Sequence, residues 1–182
     1  MCAGHRRDSR VAVELYVRSL APRADRGRLH ESVTRLQELA EAGTLREFSV
    51  VLSGKAIPPT PADTVTELGA YLCNRVAVFR EWAASTGRTV GATFQRRSVH
   101  STFTGDDYDA VVLPDVLLAE YEGDDLRFVA PCREDGDAVT VTDRLDALEA
   151  GAPTEPTDRL PRSRAAPPPS VGGPRPGPSS GR

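Results

Sequence analysis

The sequence predicts an α+β domain: a mixed sheet of about five strands, starting β-α-β-α-β, packed with two main helices and a short third helix. Three observations carry this. Residues 60–87, TPADTVTELGAYLCNRVAVFREWAASTG, hold one long helical stripe. Residues 11–17 and 46–53 alternate apolar and polar side chains as strands do. The apolar periodicity stops at Gly151, which leaves a Pro/Gly-rich tail outside the fold.

Residues 1–10, MCAGHRRDSR, form a loose basic N-terminus without the apolar run of a secretory signal. Val11, Val13, Leu15 and Val17 then fall on one face and Glu14, Tyr16 and Arg18 on the other, the pattern of a half-buried strand. Pro22 and the charged residues up to Arg28 make a turn. Leu29, Val33, Leu36 and Ala40 make a helical stripe that ends near Gly43. Phe48, Val50 and Leu52 restore the alternation over Arg46–Ser53. Strand, helix, strand in this order favours a right-handed crossover between parallel strands. Lys55–Pro61, with three prolines, reads as an exposed connection.

In the long helix, Val65, Leu68, Leu72, Val76, Phe79 and Ala83 recur at about 100° per residue on one stripe. Tyr71, Val78 and Trp82 widen it, and Glu67, Asn74 and Glu81 lie opposite. Thr60 as N-cap, Pro61 as first helical residue and Asp63 in the first turn mark its start, and Gly87 its stop. Thr89–Val99 reads as a strand that Gly91 weakens or marks with a bulge. Asp109–Leu113 is extended up to Pro114. Val116–Tyr121 and Leu126–Ala130 form a hairpin around Glu122-Gly123-Asp124-Asp125. After a turn at Glu134–Asp137, a strand at Val139–Val141 leads to a short helix, Thr142–Ala150, with Leu145 and Leu148 inward. Residues 11–150 are thus expected to form a single domain. Residues 151–182, with nine Pro and five Gly, cannot offset their ordering entropy and are expected to be disordered.

The formal charge of −3 hides a balance of +3 over residues 11–97 and −11 over residues 106–149. Lys55 is the only lysine among 23 basic residues. Lysine depletion with an acidic surface fits a protein made in high salt, and a GC-rich genome gives the same bias. No apolar run reaches the roughly 18 residues of a membrane helix. Cys2, Cys73 and Cys132 are too scattered for a disulfide framework and fit a reducing cytoplasm.

Few residues invite chemistry. Cys2 and His5 lack the second ligand pair of a structural zinc site. Cys73 or Cys132 with His30 or His100 sits in no nucleophile motif, and Gly27 alone makes no phosphate loop. Asp106, Asp107 and Asp109 do not follow a calcium-loop spacing. The residues therefore point to no catalytic group, no metal and no cofactor. Arg75, Arg80, Arg96 and Arg97 are the candidate nucleic-acid contacts, since guanidinium groups bind phosphate. The competing reading is the solvated surface of an arginine-rich chain.

The strings VELYVRSL, FREWA, Phe94-Gln95-Arg96-Arg97-Ser98-Val99, VVLP at Val111–Pro114, AEYEGDDL and APC at Ala130–Cys132 resemble a family of small proteins from halophilic archaea, the halobacterial helix-turn-helix domain family. The resemblance covers about residues 11–150 and leaves out the tail. It implies DNA binding and transcription regulation, and it would account for the lysine depletion. A helix-turn-helix joins two helices by a short turn, whereas the residues place the strand Arg46–Ser53 between the first two helices. The alternative is a non-enzymatic protein-interaction or small-ligand-sensing module. Deleting residues 151–182 is expected to leave the thermal unfolding midpoint almost unchanged, because the tail carries no periodic apolar surface. A fall of many degrees would mean that it docks on the domain.

Overall fold

A strand with buried side chains on both faces has to be covered twice, and this requirement organises the molecule. In strand β1 (Val11–Val17) every residue from Ala12 to Val17 is buried. The structure, a computed structural model, describes residues 11–19, 26–100 and 107–152. The N-terminal residues 1–10 and the predicted tail beyond Ala152 lie outside the described residues.

The main sheet is mixed and has the order β2-β1-β6-β7. β1 runs parallel to β2 (Leu45–Leu52) and antiparallel to β6 (Val116–Glu122), which pairs with β7 (Asp125–Ala130). Helix α1 (Arg26–Glu41) and helix α3 (Val141–Glu149) cover one face, packing Leu36, Leu39, Leu145 and Leu148 on Val13, Leu15, Val17 and Leu118. Helix α2 (Glu67–Ser85) covers the other, where Ala12, Tyr16, Leu117, Ala119 and Tyr121 meet Leu72, Val76, Phe79 and Trp82. A second sheet, β3 (Ala56–Ile57), β5 (Asp107–Val112) and β4 (Gln95–His100) in that order from edge to edge, extends the α2 side through Ile57 and Val111. A cis Ala130–Pro131 bond leads from β7 into the hairpin of β8 (Cys132–Glu134) and β9 (Asp137–Val139).

The parallel β1–β2 pair, the β6–β7 hairpin and the inward Leu145 and Leu148 agree with the sequence reading. Other expectations are corrected. β1 is not half-buried: Glu14 and Tyr16, expected on the solvent face, lie beneath α2. The cap signals at Thr60, Pro61 and Asp63 close a separate 3-10 turn, in which the Thr60 hydroxyl donates to Asp63 at 2.6 Å. The long helix starts later, where Thr66 accepts from the Gly69 N–H at 3.0 Å. Val65 falls in the gap between the two and is fully exposed rather than in the stripe. Thr89–Val99 is a strand only from Gln95. Residues 91–93 form a turn, and Thr89 makes a single bridge to Arg133.

The burial predicts an order of mutational costs. Phe79→Ala and Leu72→Ala should each lower unfolding free energy by about 2–5 kcal/mol through lost burial and a residual cavity. Asn74→Ala and Val65→Ala, both on exposed side chains, should cost less than ~1 kcal/mol. Urea titration of the four variants checks the ranking, and an inverted order would place the α2 stripe on the wrong face.

Candidate nucleic-acid interface

Of the four candidate arginines, one is turned inward. Arg75 is 4% exposed and cannot reach a phosphate, which corrects the sequence expectation. One terminal N–H group of its guanidinium donates to Glu14 Oε1 at 3.1 Å, and its Nε–H donates to the Tyr71 hydroxyl at 3.1 Å. The guanidinium also lies 5.1 Å from the Tyr71 ring centroid and 5.4 Å from that of Tyr121. The Tyr16 hydroxyl donates to the other Glu14 oxygen at 2.6 Å. A carboxylate under a helix needs such partners, because an unpaired buried charge is strongly disfavoured. Burial raises the Tyr16 and Tyr121 hydroxyl pKa values well above 10.0, and the Glu14 charge adds to the shift.

Arg80, Arg96 and Arg97 are exposed, the first on α2 and the other two on β4. Arg80, one turn and a half beyond Arg75, donates to the Phe94 carbonyl at 3.1 Å, with its guanidinium 5.9 Å from the Phe94 ring. Phe94 in turn stacks on Phe79, 6.2 Å between centroids, and so joins α2 to the start of β4. Arg96 and Arg97 follow on β4, an edge strand, and alternation sends them to opposite faces. Arg97 donates to Gln95 Oε1 at 3.2 Å. The surface of β4 is not uniformly positive, because the Ser98 hydroxyl donates to Asp109 at 2.8 Å on the adjacent strand.

The remaining sequence candidates do not converge. The Cys73 thiol is buried on α2 and donates to the Pro58 carbonyl at 3.3 Å, while His30 lies on α1 across the sheet. Burial raises the Cys73 pKa and pushes Cys132 up to about 11, so both thiols stay protonated at neutral pH. Cys2, His5 and Asp106 lie outside the described residues, as do the side chains of His100 and Asp107. Among the described residues no three His, Cys, Asp or Glu side chains are placed to hold a metal ion. The pocket beside Arg75, lined by Tyr16, Leu72, Phe79 and Phe94 among others, has a volume of only about 10 Å³, about one water. No helix among the described residues is long and apolar enough to cross a membrane.

A second buried pair was missed in the sequence. Glu120 on β6 is fully buried, and Arg144 of α3 donates to its two oxygens at 2.5 and 2.8 Å. The available signal was a carboxylate inside the apolar run VLLAEYE. α1 and α2 are separated by β2 and β3, so no two α-helices among the described residues are joined by a short turn.

Residues 5–153 match the model of a family described as a helix-turn-helix domain. No curated protein and no solved structure matches the chain.

The tyrosines predict a pH dependence. Their folded-state pKa values lie above the unfolded value of 10.0, so their contribution is fully present below pH 10 and lost as pH rises beyond it. Urea midpoints measured from pH 8 to 11 should fall above about pH 10, and less steeply in Tyr16→Phe/Tyr121→Phe. Equal slopes would remove the tyrosines as the cause.

Proposed function

We propose, from the premise that this chain belongs to the helix-turn-helix domain family matched over residues 5–153, that it is a non-enzymatic cytoplasmic DNA-binding protein that regulates transcription. The family match is the observation that carries this reading. Among the described residues, the exposed Arg80, Arg96 and Arg97 on α2 and β4 suit it. The exposed side of α1 presents Glu31, Glu38 and Glu41, and that of α3 presents Asp143, Asp146 and Glu149. Both would repel a phosphate backbone. The α2 and β4 arginines therefore meet the duplex, with their guanidinium groups as positioning contacts to phosphate. The single lysine among 23 basic residues supports a setting of high salt, as in halophilic archaea. There the Debye length is about 3 Å at 1 M, so only direct contacts attract. A second reading, a protein-interaction module, is favoured by the edge of β2, which no strand covers among the described residues.

The salt dependence of binding tests the contacts. Three phosphate contacts give a slope of log K against log salt of about −2.7, and Arg96→Ala/Arg97→Ala should reduce its magnitude by about 1.8. Fluorescence anisotropy of labelled genomic fragments over a salt series reads both slopes. No bound fraction at the lowest salt that keeps the protein folded would end the DNA-binding reading. An unchanged slope in the variant would move the interface elsewhere.

A further inference from the structure

An uncovered sheet edge offers a row of backbone donors and acceptors to any strand of matching register, and proteins guard such edges with charge, proline, shortness or bulges. The edges described here differ in this respect. β7 is bulged opposite Glu120 and Tyr121, ties Arg127 to Glu122 at 2.8 Å, and gives the Arg127 carbonyl to the Trp82 indole N–H at 3.2 Å. β3 is two residues long and runs into Pro58 and Pro59. β4 carries Arg96 and Arg97. β2 has a charged pair, Arg46 and Glu47, only at its start. From Phe48 to Leu52 it has no charge, proline, glycine or register shift.

The same five residues are self-complementary. The Ser53 N–H donates to the Val17 carbonyl at 2.8 Å, so the backbone of Ser53 points at β1. Alternation then aims the backbone groups of Leu52, Val50 and Phe48 outward. The side chains of these three residues share the α1 face, because they sit in register with Val17, Leu15 and Val13. Val50 and Leu52 remain 42% and 46% exposed there.

We infer that β2 is a homodimerisation edge, on which a second copy of this chain pairs its own β2 antiparallel about a two-fold axis at Val50. In that register each Val50 exchanges both hydrogen bonds with Val50 of the second copy, and each Phe48 does so with Leu52 of the second copy. Residues opposite one another in an antiparallel pair point to the same face, so the six side chains join in one apolar strip. No charge faces a like charge along it. The pairing is isologous and uses up both edges, so it stops at two copies rather than growing into a fibre. A joint of one strand pair covers less than the roughly 800 Å² per partner of a standard interface, and the dissociation constant is expected on the order of micromolar.

Sedimentation of the full chain between about 1 and 200 µM should show a monomer–dimer equilibrium in the micromolar range. Leu52→Lys should weaken it roughly tenfold or more, with circular dichroism and urea midpoint retained. Register is read by cysteine cross-linking in a Cys2→Ser background, since Cys73 and Cys132 are buried. At the two-fold axis the Cα atoms of a hydrogen-bonded pair lie about 5.5 Å apart, within disulfide reach. Val50→Cys should therefore cross-link roughly tenfold faster than Ser49→Cys. A monomer at every concentration, including one whose own N-terminal or C-terminal segment covers the edge, overturns the inference. So does an open-ended aggregate, a dimer unaffected by Leu52→Lys, or a dimer in which Val50→Cys has no advantage.

Discussion

A carboxylate can be buried only where a cation is brought to it, and the two central strands of this fold bury one on each face. Glu14 looks toward α2 and receives Arg75; Glu120 looks toward α3 and receives Arg144. The two carboxylates are near neighbours in the sheet, since Val13 of β1 pairs with Glu120 and Glu14 pairs with Ala119. Each helix layer is thus pinned at a point close to the centre of the sheet. Removing one partner of such a pair typically costs about 3–5 kcal/mol, whereas replacing both by apolar residues is often neutral. What the pairs set is therefore less the total stability than which helix lies on which face and how it is rotated.

Aromatic rings extend this arrangement. Phe128 lies 4.5 Å from the Arg144 guanidinium carbon and 5.3 Å from that of Arg88, and Trp82 meets Phe128 edge-on at 5.5 Å. The end of α2, β7 and α3 therefore share one stack of rings and cations. Arginines spent in this way are withdrawn from the surface. Arg35, too, is engaged by Asp146 and Glu149 at 2.5 and 2.6 Å. In an arginine-rich chain the number of guanidinium groups thus says little about its capacity to bind phosphate. The exposed set that remains on α2 and β4 is small.

Elements with many repeats of one period were legible: the α2 stripe around Leu72 and Phe79, the β1 and β2 alternations, and the β6–β7 hairpin with its Gly-Asp turn. Failures arose where one sequence pattern has two physical solutions. Glu14 and Tyr16 alternate with valines as a solvent face would, and only the covering helix decides otherwise. Arg75 lies beside the helical stripe, so whether it points in or out depends on Glu14, 61 positions away in the chain. Thr60 precedes a 3-10 turn without a side-chain cap hydrogen bond, and Thr64 and Thr66 are extended before the helix proper. Arg80 is brought to the start of β4 by its contact with Phe94, which no local spacing encodes.

The clamp on α3 also bears on how the chain is made. β1 is translated first, yet it needs β6 beside it, and the Glu120 of β6 waits for Arg144. α3 in turn is fastened to α1 through Arg35. From Val17 to Glu149 is 132 residues, so at about 5–20 residues per second the ribosome takes roughly 7–26 s to supply the closing element. During that interval the most apolar strand of the protein has only its local partners, α1 and β2. Its burial is completed only when α3 has been made and Arg144 reaches Glu120.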